Sequence, residues 1–192
     1  FLLLPQREAL YGGAAGGGKS SALLIAALQY VDVPGYSALL LRRTFADLAL
    51  PGALMDRAAQ WLSGTNAKWN GQEKTWTFPS GATLSFGYLE NENHKYRYQG
   101  AEFQFVGFGE LTQFTSTQYT YLFSRLRRLR GVSIPVRMRA ATNPGGAGHG
   151  WVYQRFFIEG RKKGRIFVPA RLDDNPYLDR DEYLQSLREL DY

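Results

Sequence analysis

The stretch Gly13-Ala14-Ala15-Gly16-Gly17-Gly18-Lys19-Ser20 constrains this chain more than any other. Two glycines bracket four small residues, and a lysine and a hydroxyl residue follow, which is the pattern of a phosphate-binding P-loop. The spacing has a physical reason. Small residues let the backbone curl so that successive N–H groups point inward at a polyphosphate, and larger side chains would block that approach. Nothing larger than alanine occurs from Gly12 to Gly18. Lys19 is placed to reach the β- and γ-phosphates, and Ser20 to offer its hydroxyl to Mg²⁺. Ala9-Leu10-Tyr11 reads as the end of a short strand. Ser21 to Tyr30 reads as a helix whose N-terminal N–H groups and dipole face the phosphate. Strand, loop and helix in that order predict an α/β domain with a nucleotide held along Gly13 to Ser21.

With 192 residues the chain can bury one full α/β core, but is short for two. Its 44% hydrophobic and 21% charged residues place it among globular rather than disordered chains. The net charge of +6 points to an anionic partner, with nucleic acid the plain candidate. The absence of cysteine excludes disulfides and thiolate metal sites. No apolar run approaches the roughly 20 residues of a membrane span. Phe1-Leu2-Leu3-Leu4 meets Pro5 too soon for a signal peptide, so an intracellular location is expected. The first residue is not Met, which reads as a fragment or a trimmed chain.

Ahead of the loop stands Gln6, whose amide can read adenine with one donor and one acceptor, or simply face solvent near a terminus. Ser37 to Arg43 is a short apolar run suited to a buried parallel strand, with Arg42 and Arg43 at its carboxyl end, where ligands collect in open α/β sheets. Thr44 to Leu62 reads as helix interrupted at Pro51-Gly52. Lys68 to Tyr88 alternates around Pro79-Ser80-Gly81 and predicts an antiparallel hairpin, its tryptophans serving cross-strand packing before any stacking on bases. Glu90 to Gly100 reads as an irregular polar connection with His94 an ordinary loop histidine. His149 likewise has no metal partners at ligand spacing.

Phe105 to Glu110 is a hydrophobic run ending in an acid, the arrangement called Walker B, in which a buried strand delivers carboxylates to the metal and the attacking water. The usual ending is Asp-Glu; here it is Gly109-Glu110. The water-polarising acid is present, and the metal-holding one is glycine. Ser116 to Leu129 is helical by pattern and basic, carrying Arg125, Arg127, Arg128 and Arg130. Ile134 to Asn143 reads as a strand whose end, Thr142-Asn143, could sense a γ-phosphate or could merely begin a turn at Pro144. Trp151 to Ile158 reads as a short amphipathic helix, Ile166 to Val168 as a strand, and Tyr177 to Tyr192 as a charged helix.

Taken in order, these motifs resemble the N-terminal ATPase domain of the large terminase subunit, the DNA-packaging motor of tailed bacteriophages and prophages. Leu4-Pro5-Gln6 resembles that family's adenine-side lead-in, and Leu39 to Thr44 the strand after Walker A. Tyr98 to Gly100 and Phe105 to Phe114 resemble the approach to Walker B and its strand. Tyr121 to Arg127 resembles the basic helix, Ala141 to Gly146 the coupling motif, and Asp174 to Leu178 the exit from the core.

The resemblance implies a RecA-like sheet of the ASCE type, mostly parallel and flanked by helices, with the hairpin near 68–88 as an extension. Residues 1–172 would form the ATPase domain and 173–192 a segment leading toward an absent nuclease domain. ATP and Mg²⁺ are the implied cofactors. Gln6, Gly13, Ala14, Ala15, Gly16, Gly17, Gly18, Lys19, Ser20, Ser21, Thr142 and Asn143 are then the nucleotide contacts, with Ser20 and Glu110 at the metal. Glu110 and Lys19 are the catalytic pair, and Arg125 and Arg127 are candidates for an arginine finger supplied to a neighbour, with Arg42 and Arg43 second. The implied partners are double-stranded DNA, the portal, a small terminase subunit and further copies in a ring on the procapsid, in the host cytoplasm and not in a membrane. The isolated domain is expected to be monomeric and without nuclease activity, since Asp173, Asp174, Asp179 and Asp181 read as loop and helix-start charges. Gly109 and the lack of an arginine at Ala14 or Ala15 are departures from the family pattern. Two other readings stay open: a catalytically silenced module that binds nucleotide or DNA, and a P-loop enzyme of another kind such as a helicase or kinase.

Overall fold

In the computed structural model, residues 1–14, 16–175 and 185 are described. Along them run β1 (Glu8–Gly13), α1 (Lys19–Leu28), β2 (Ser37–Arg42), α2 (Phe45–Ala49), α3 (Leu54–Leu62), β3 (Lys68–Asn70), β4 (Thr75–Thr77), β5 (Thr83–Tyr88), β6 (Phe105–Gly109), α4 (Ser116–Phe123), β7 (Arg137–Thr142), α5 (His149–Tyr153) and β8 (Arg165–Ala170). They build one eight-stranded sheet in the order β3-β4-β5-β2-β6-β7-β1-β8. From β5 to β8 every pairing is parallel, while β3–β4 and β4–β5 are antiparallel. This is the expected mostly parallel, RecA-like sheet with its hairpin extension. Between the strand that precedes the phosphate loop and the strand that ends at Gly109 lies one strand, β7.

The strands β2 and β6 are apolar without alternation because both faces are covered. On β2, Ala38 and Leu40 pack with Leu23, Leu24 and Ala27 of α1 and Leu54, Ala58 and Leu62 of α3. Leu39 and Leu41 point the other way, into a core with Tyr119 and Leu122 of α4 and Val152 of α5. The helix starts are written locally. Thr44 and Asp47 bond each other's backbone N–H at 3.1 Å, and Thr115 and Gln118 form the same reciprocal box. In the hairpin, Trp69 packs tilted against Trp76 with ring centroids 5.3 Å apart and meets Phe86 edge-to-face at 6.1 Å, so these aromatics serve packing.

Three local expectations change. The helix after Thr115 ends at Phe123 instead of running to Leu129. Leu126 instead bridges Phe103, with Phe103 N–H donating to Arg125 O (3.1 Å) and Arg127 N–H to Phe103 O (2.9 Å). A strand-like pairing with a distant segment thus wins over helical continuation, and Arg125 and Arg127 sit past the helix. Glu92–Tyr98 is a 3₁₀ helix, capped by Asn91 Oδ1 on the N–H groups of Asn93 and His94. Between 149 and 158 the chain is α-helical only to Tyr153, and Gln154–Ile158 continues as a π-type turn. The charged helix expected over 177–192 lies outside the described residues except for Gln185. Among the described residues, no helix is long and apolar enough to cross a membrane.

Glu8 of β1 is 5% exposed and ties three elements together. Its carboxylate accepts from Arg155 Nε at 2.5 Å, Arg165 Nε at 3.1 Å and Tyr119 Oη at 3.1 Å. Removing one member of such a set leaves partly buried guanidinium groups without their counter-charge. Glu8→Ala is expected to cost about 3 kcal/mol of unfolding free energy. Urea denaturation reads this as a lower midpoint at unchanged slope, and a change under about 0.5 kcal/mol would assign the network no structural weight.

Candidate functional site

The register of the sheet brings the marked residues to one edge. Gly12 pairs with Thr142, Gly13 with Ala170 and Gly109 with Ala141, so the strand ends line up along the carboxyl side. That is where open α/β sheets bind ligands. A cleft of about 740 Å³ opens there, within the ordinary range for a small-molecule site. Gly16 to Ser21 line it from the loop and helix, Glu110 and Asn143 from the strand ends.

Gly13 has φ of +134°, and a Cβ there would fall 2.3 Å from Ala170 O, so no other residue lets β1 pass β8 this closely. Ala14 N–H then donates to that carbonyl at 2.9 Å, fixing the loop's entry. At the far end Gly18 is left-handed (φ +71°) and no side chain caps α1. The first N–H groups of an α-helix have no partner within it, so an uncapped start facing a cleft is an anion site. Tyr11 Oη donates to Gly17 O at 3.1 Å and Asn175 Nδ2 to Gly16 O at 2.6 Å, bracing the loop from both sides. Ala15 lies outside the described residues.

Lys19 is 7% exposed, and its ammonium is folded back onto Ala14 O of its own loop. Burial pulls its pKa below the usual lysine value, and the charge of Glu110 across the cleft opposes that pull. A phosphate entering the loop offers the ammonium a charged acceptor in place of a neutral carbonyl, a stronger bond.

Glu110 follows β6 directly and holds a left-handed backbone (φ +57°), one of two non-glycine residues among those described with positive φ. Such a conformation costs of order 1–3 kcal/mol and persists where the surroundings over-determine it. Its Oε2 accepts Asn143 N–H at 3.3 Å, and its Oε1 lies 3.7 Å from Arg42 Nη1. The acid is therefore clamped between the ends of β7 and β2.

Other candidates are placed apart from the cleft. Thr142 is buried and faces the opposite side of β7, where its Oγ1 meets Thr112 Oγ1 at 3.0 Å, donates to Asn143 O at 2.9 Å and lines a second, apolar cavity of about 250 Å³. Asn143 borders both cavities. The Gln6 carbonyl accepts from Arg139 at 3.0 Å and its Oε1 is buried with no hydrogen-bond partner; Leu2, not Gln6, reaches the cleft wall. Arg125 leans on Ser124 and the Tyr121 ring, and Arg127 is paired with Glu102 at 4.0 Å, both away from the cleft. Arg43 donates to Leu89 O at 2.6 Å.

Residues that sequence reasoning missed also line the cleft: Tyr11, Ile25 and Arg57. Arg57 of α3 bonds Ser21 Oγ and reaches Gly52 O at 3.4 Å. Its neighbours Leu54, Ala58 and Leu62 mark the buried stripe of that helix, so only the fold reveals that the adjoining face meets the phosphate loop.

The donor set for a divalent cation is short of acids. Ser20 contributes a hydroxyl, Glu110 is already faced by Arg42, and position 109 has no side chain. Among the described residues, no group of three or more Asp, Glu, His or Cys could hold a metal. Magnesium wants one or two carboxylates besides phosphate and water, so these residues do not fit a metal held by the protein itself.

A family model described as "Terminase large subunit, T4likevirus-type, N-terminal" matches residues 10–171. No curated protein matches the chain. Among solved structures, the large terminase from a thermophilic bacteriophage superimposes with a TM-score of 0.77 at 15% identity, covering 100% of this chain and 47% of that one. The same terminase in complex with ADP gives 0.77 at 14% identity, covering 97% and 46%. The N-terminal domain of the DNA packaging ATPase from bacteriophage phi29 gives 0.57 at 15% identity, covering 91% and 94%. The chain thus spans about half the length of the large terminase it matches. At these identities the likeness is one of fold.

Proposed function

The chain belongs to the terminase large-subunit, T4likevirus-type N-terminal family, and from that premise we propose that it is the ATP-hydrolysing domain of a motor that moves double-stranded DNA into a procapsid. The observation that carries this reading is the meeting of Lys19, Glu110 and Asn143 around an uncapped helix start at one sheet edge. The polyphosphate lies along Gly16 to Ser21, with Lys19 on its β- and γ-oxygens. Glu110 takes the proton of a water whose oxygen bonds to the γ-phosphorus as the bridge to the β-phosphate breaks. Any Mg²⁺ is carried in by the nucleotide, and Ser20 Oγ is the side-chain donor we assign to it. The thermophilic-phage terminase solved in complex with ADP supports a nucleotide as the ligand of this fold.

Asn143 bonds Glu110 through its N–H, and Thr142 faces the opposite side of the same strand. We assign the pair to coupling: loss of the γ-phosphate releases Glu110, and Asn143 carries the change through β7. Arg125 and Arg127, away from this cleft, are suited to a neighbour's site in a ring and to DNA phosphates. Residues 1–172 form the motor's ATPase unit, and 173–192 lead toward a nuclease domain. Portal, small subunit and further copies are the proposed assembly partners, in the cytoplasm of the host.

A second reading, a module that binds nucleotide without turnover, is favoured by Gly109 alone. Steady-state ATP hydrolysis with and without linear double-stranded DNA separates the two. The motor reading expects hydrolysis that rises severalfold with DNA. ATP binding with no hydrolysis under either condition would leave the silent module, and failure to bind ATP would remove both.

A further inference from the structure

Gly109 closes β6 and Arg42 closes β2, and these neighbouring strands run parallel with Leu41 opposite Phe108. A Cβ at 109 would fall 2.7 Å from Arg42 Cδ, closer than side chains pack, and 3.2 Å from its Nη1, so the arginine side chain would have to shift to admit it. The arginine therefore occupies the room that any side chain at 109 would need. From there Nη1 sits 3.7 Å from Glu110 Oε1, beyond direct hydrogen-bond distance, and Nε is buried with no hydrogen-bond partner. A guanidinium is charged at every accessible pH and offers five donors in a planar fork that matches phosphate oxygens. Arg42 thus has donor capacity to spare behind the carboxylate that lines the cleft.

Resting on the nucleotide reading above, we propose that Arg42 is the site's built-in cation: it replaces the carboxylate-held divalent ion, so that ATP binds almost as tightly without Mg²⁺ as with it. Gly109 is then a matched half of the device and not a lesion, because a side chain there would move the Arg42 side chain off its present place. Lys19 neutralises the phosphates from the loop side, and Arg42, which stands behind Glu110 and outside the cleft lining, turns past that carboxylate to do so from the other side as ATP enters. Charge-assisted hydrogen bonds to a phosphate are strong enough for one such group to carry a tenfold change in affinity.

The test is a titration with a fluorescent methylanthraniloyl-ATP in Mg²⁺ and again in EDTA. The chain as it stands is expected to differ less than about threefold between the two buffers, and Arg42→Ala to lose about tenfold in EDTA. Arg42→Lys, which keeps the charge, should recover part of that loss. The double variant Gly109→Asp with Arg42→Ala should regain metal dependence, with EDTA weakening it about tenfold or more. A tenfold loss in EDTA for the unaltered chain overturns the proposal, as does Arg42→Ala binding unchanged in EDTA. No binding of the probe in either buffer instead overturns the nucleotide reading beneath it.

Discussion

Lys19→Ala is expected to weaken ATP binding by about 10²-fold or more, the largest binding effect of any single change in the chain. Lys19 is 7% exposed and the present partner of its ammonium is the Ala14 carbonyl, a neutral acceptor of the same loop. ATP exchanges that acceptor for phosphate oxygens, and each charge-assisted bond contributes about 1.5–3 kcal/mol. Two such bonds lost together give the stated factor. The fold has little stake in the side chain, because it bonds only within its own loop and the sheet register does not involve it. Thermal unfolding of the unliganded variant should therefore match the parent, while the stabilisation that ATP confers on the parent disappears. Binding within threefold of the parent would place the phosphates somewhere other than this loop.

What the sequence disclosed was mostly what is local. The phosphate loop, the buried run at β2 and the run ending in Glu110 are each written in fewer than ten consecutive residues, and each lands where expected on the sheet edge. The two reciprocal helix caps are equally local. What stayed hidden depends on contacts across the chain. The basic segment ends its helix at Phe123 because Leu126 finds Phe103, a partner 23 residues away in the sequence. Arg57 reaches Ser21 only after α3 packs against α1. Thr142 and Asn143 looked alike as a polar pair, yet successive residues of a strand face opposite sides, and only Asn143 borders the main cleft. The missing acid at 109 was plain in the sequence. That an arginine from the next strand fills its room was not, since the strand order β2-β6 is a property of the fold.

Glu110→Gln is expected to lower ATP hydrolysis by about 10²–10⁴-fold while leaving ATP affinity within a few-fold of the parent, the usual range for removing a general base. The amide keeps the shape of the carboxylate and can still accept the Asn143 N–H, but it takes no proton from water. The parent acid is held for that task by three constraints: a left-handed backbone, the Asn143 N–H at 3.3 Å and the Arg42 charge at 3.7 Å. Because glutamine also loses the charge facing Arg42, a small gain in ATP affinity is allowed and a large loss is not. Single-turnover hydrolysis of γ-labelled ATP by the parent and by Glu110→Gln, each at saturating nucleotide with linear double-stranded DNA present, measures the chemical step apart from binding and product release. Hydrolysis by the parent together with a loss of at least about 10²-fold in the variant is the result this account requires. Equal rates in the two proteins would contradict it, because the acid at the end of β6 would then take no part in the reaction.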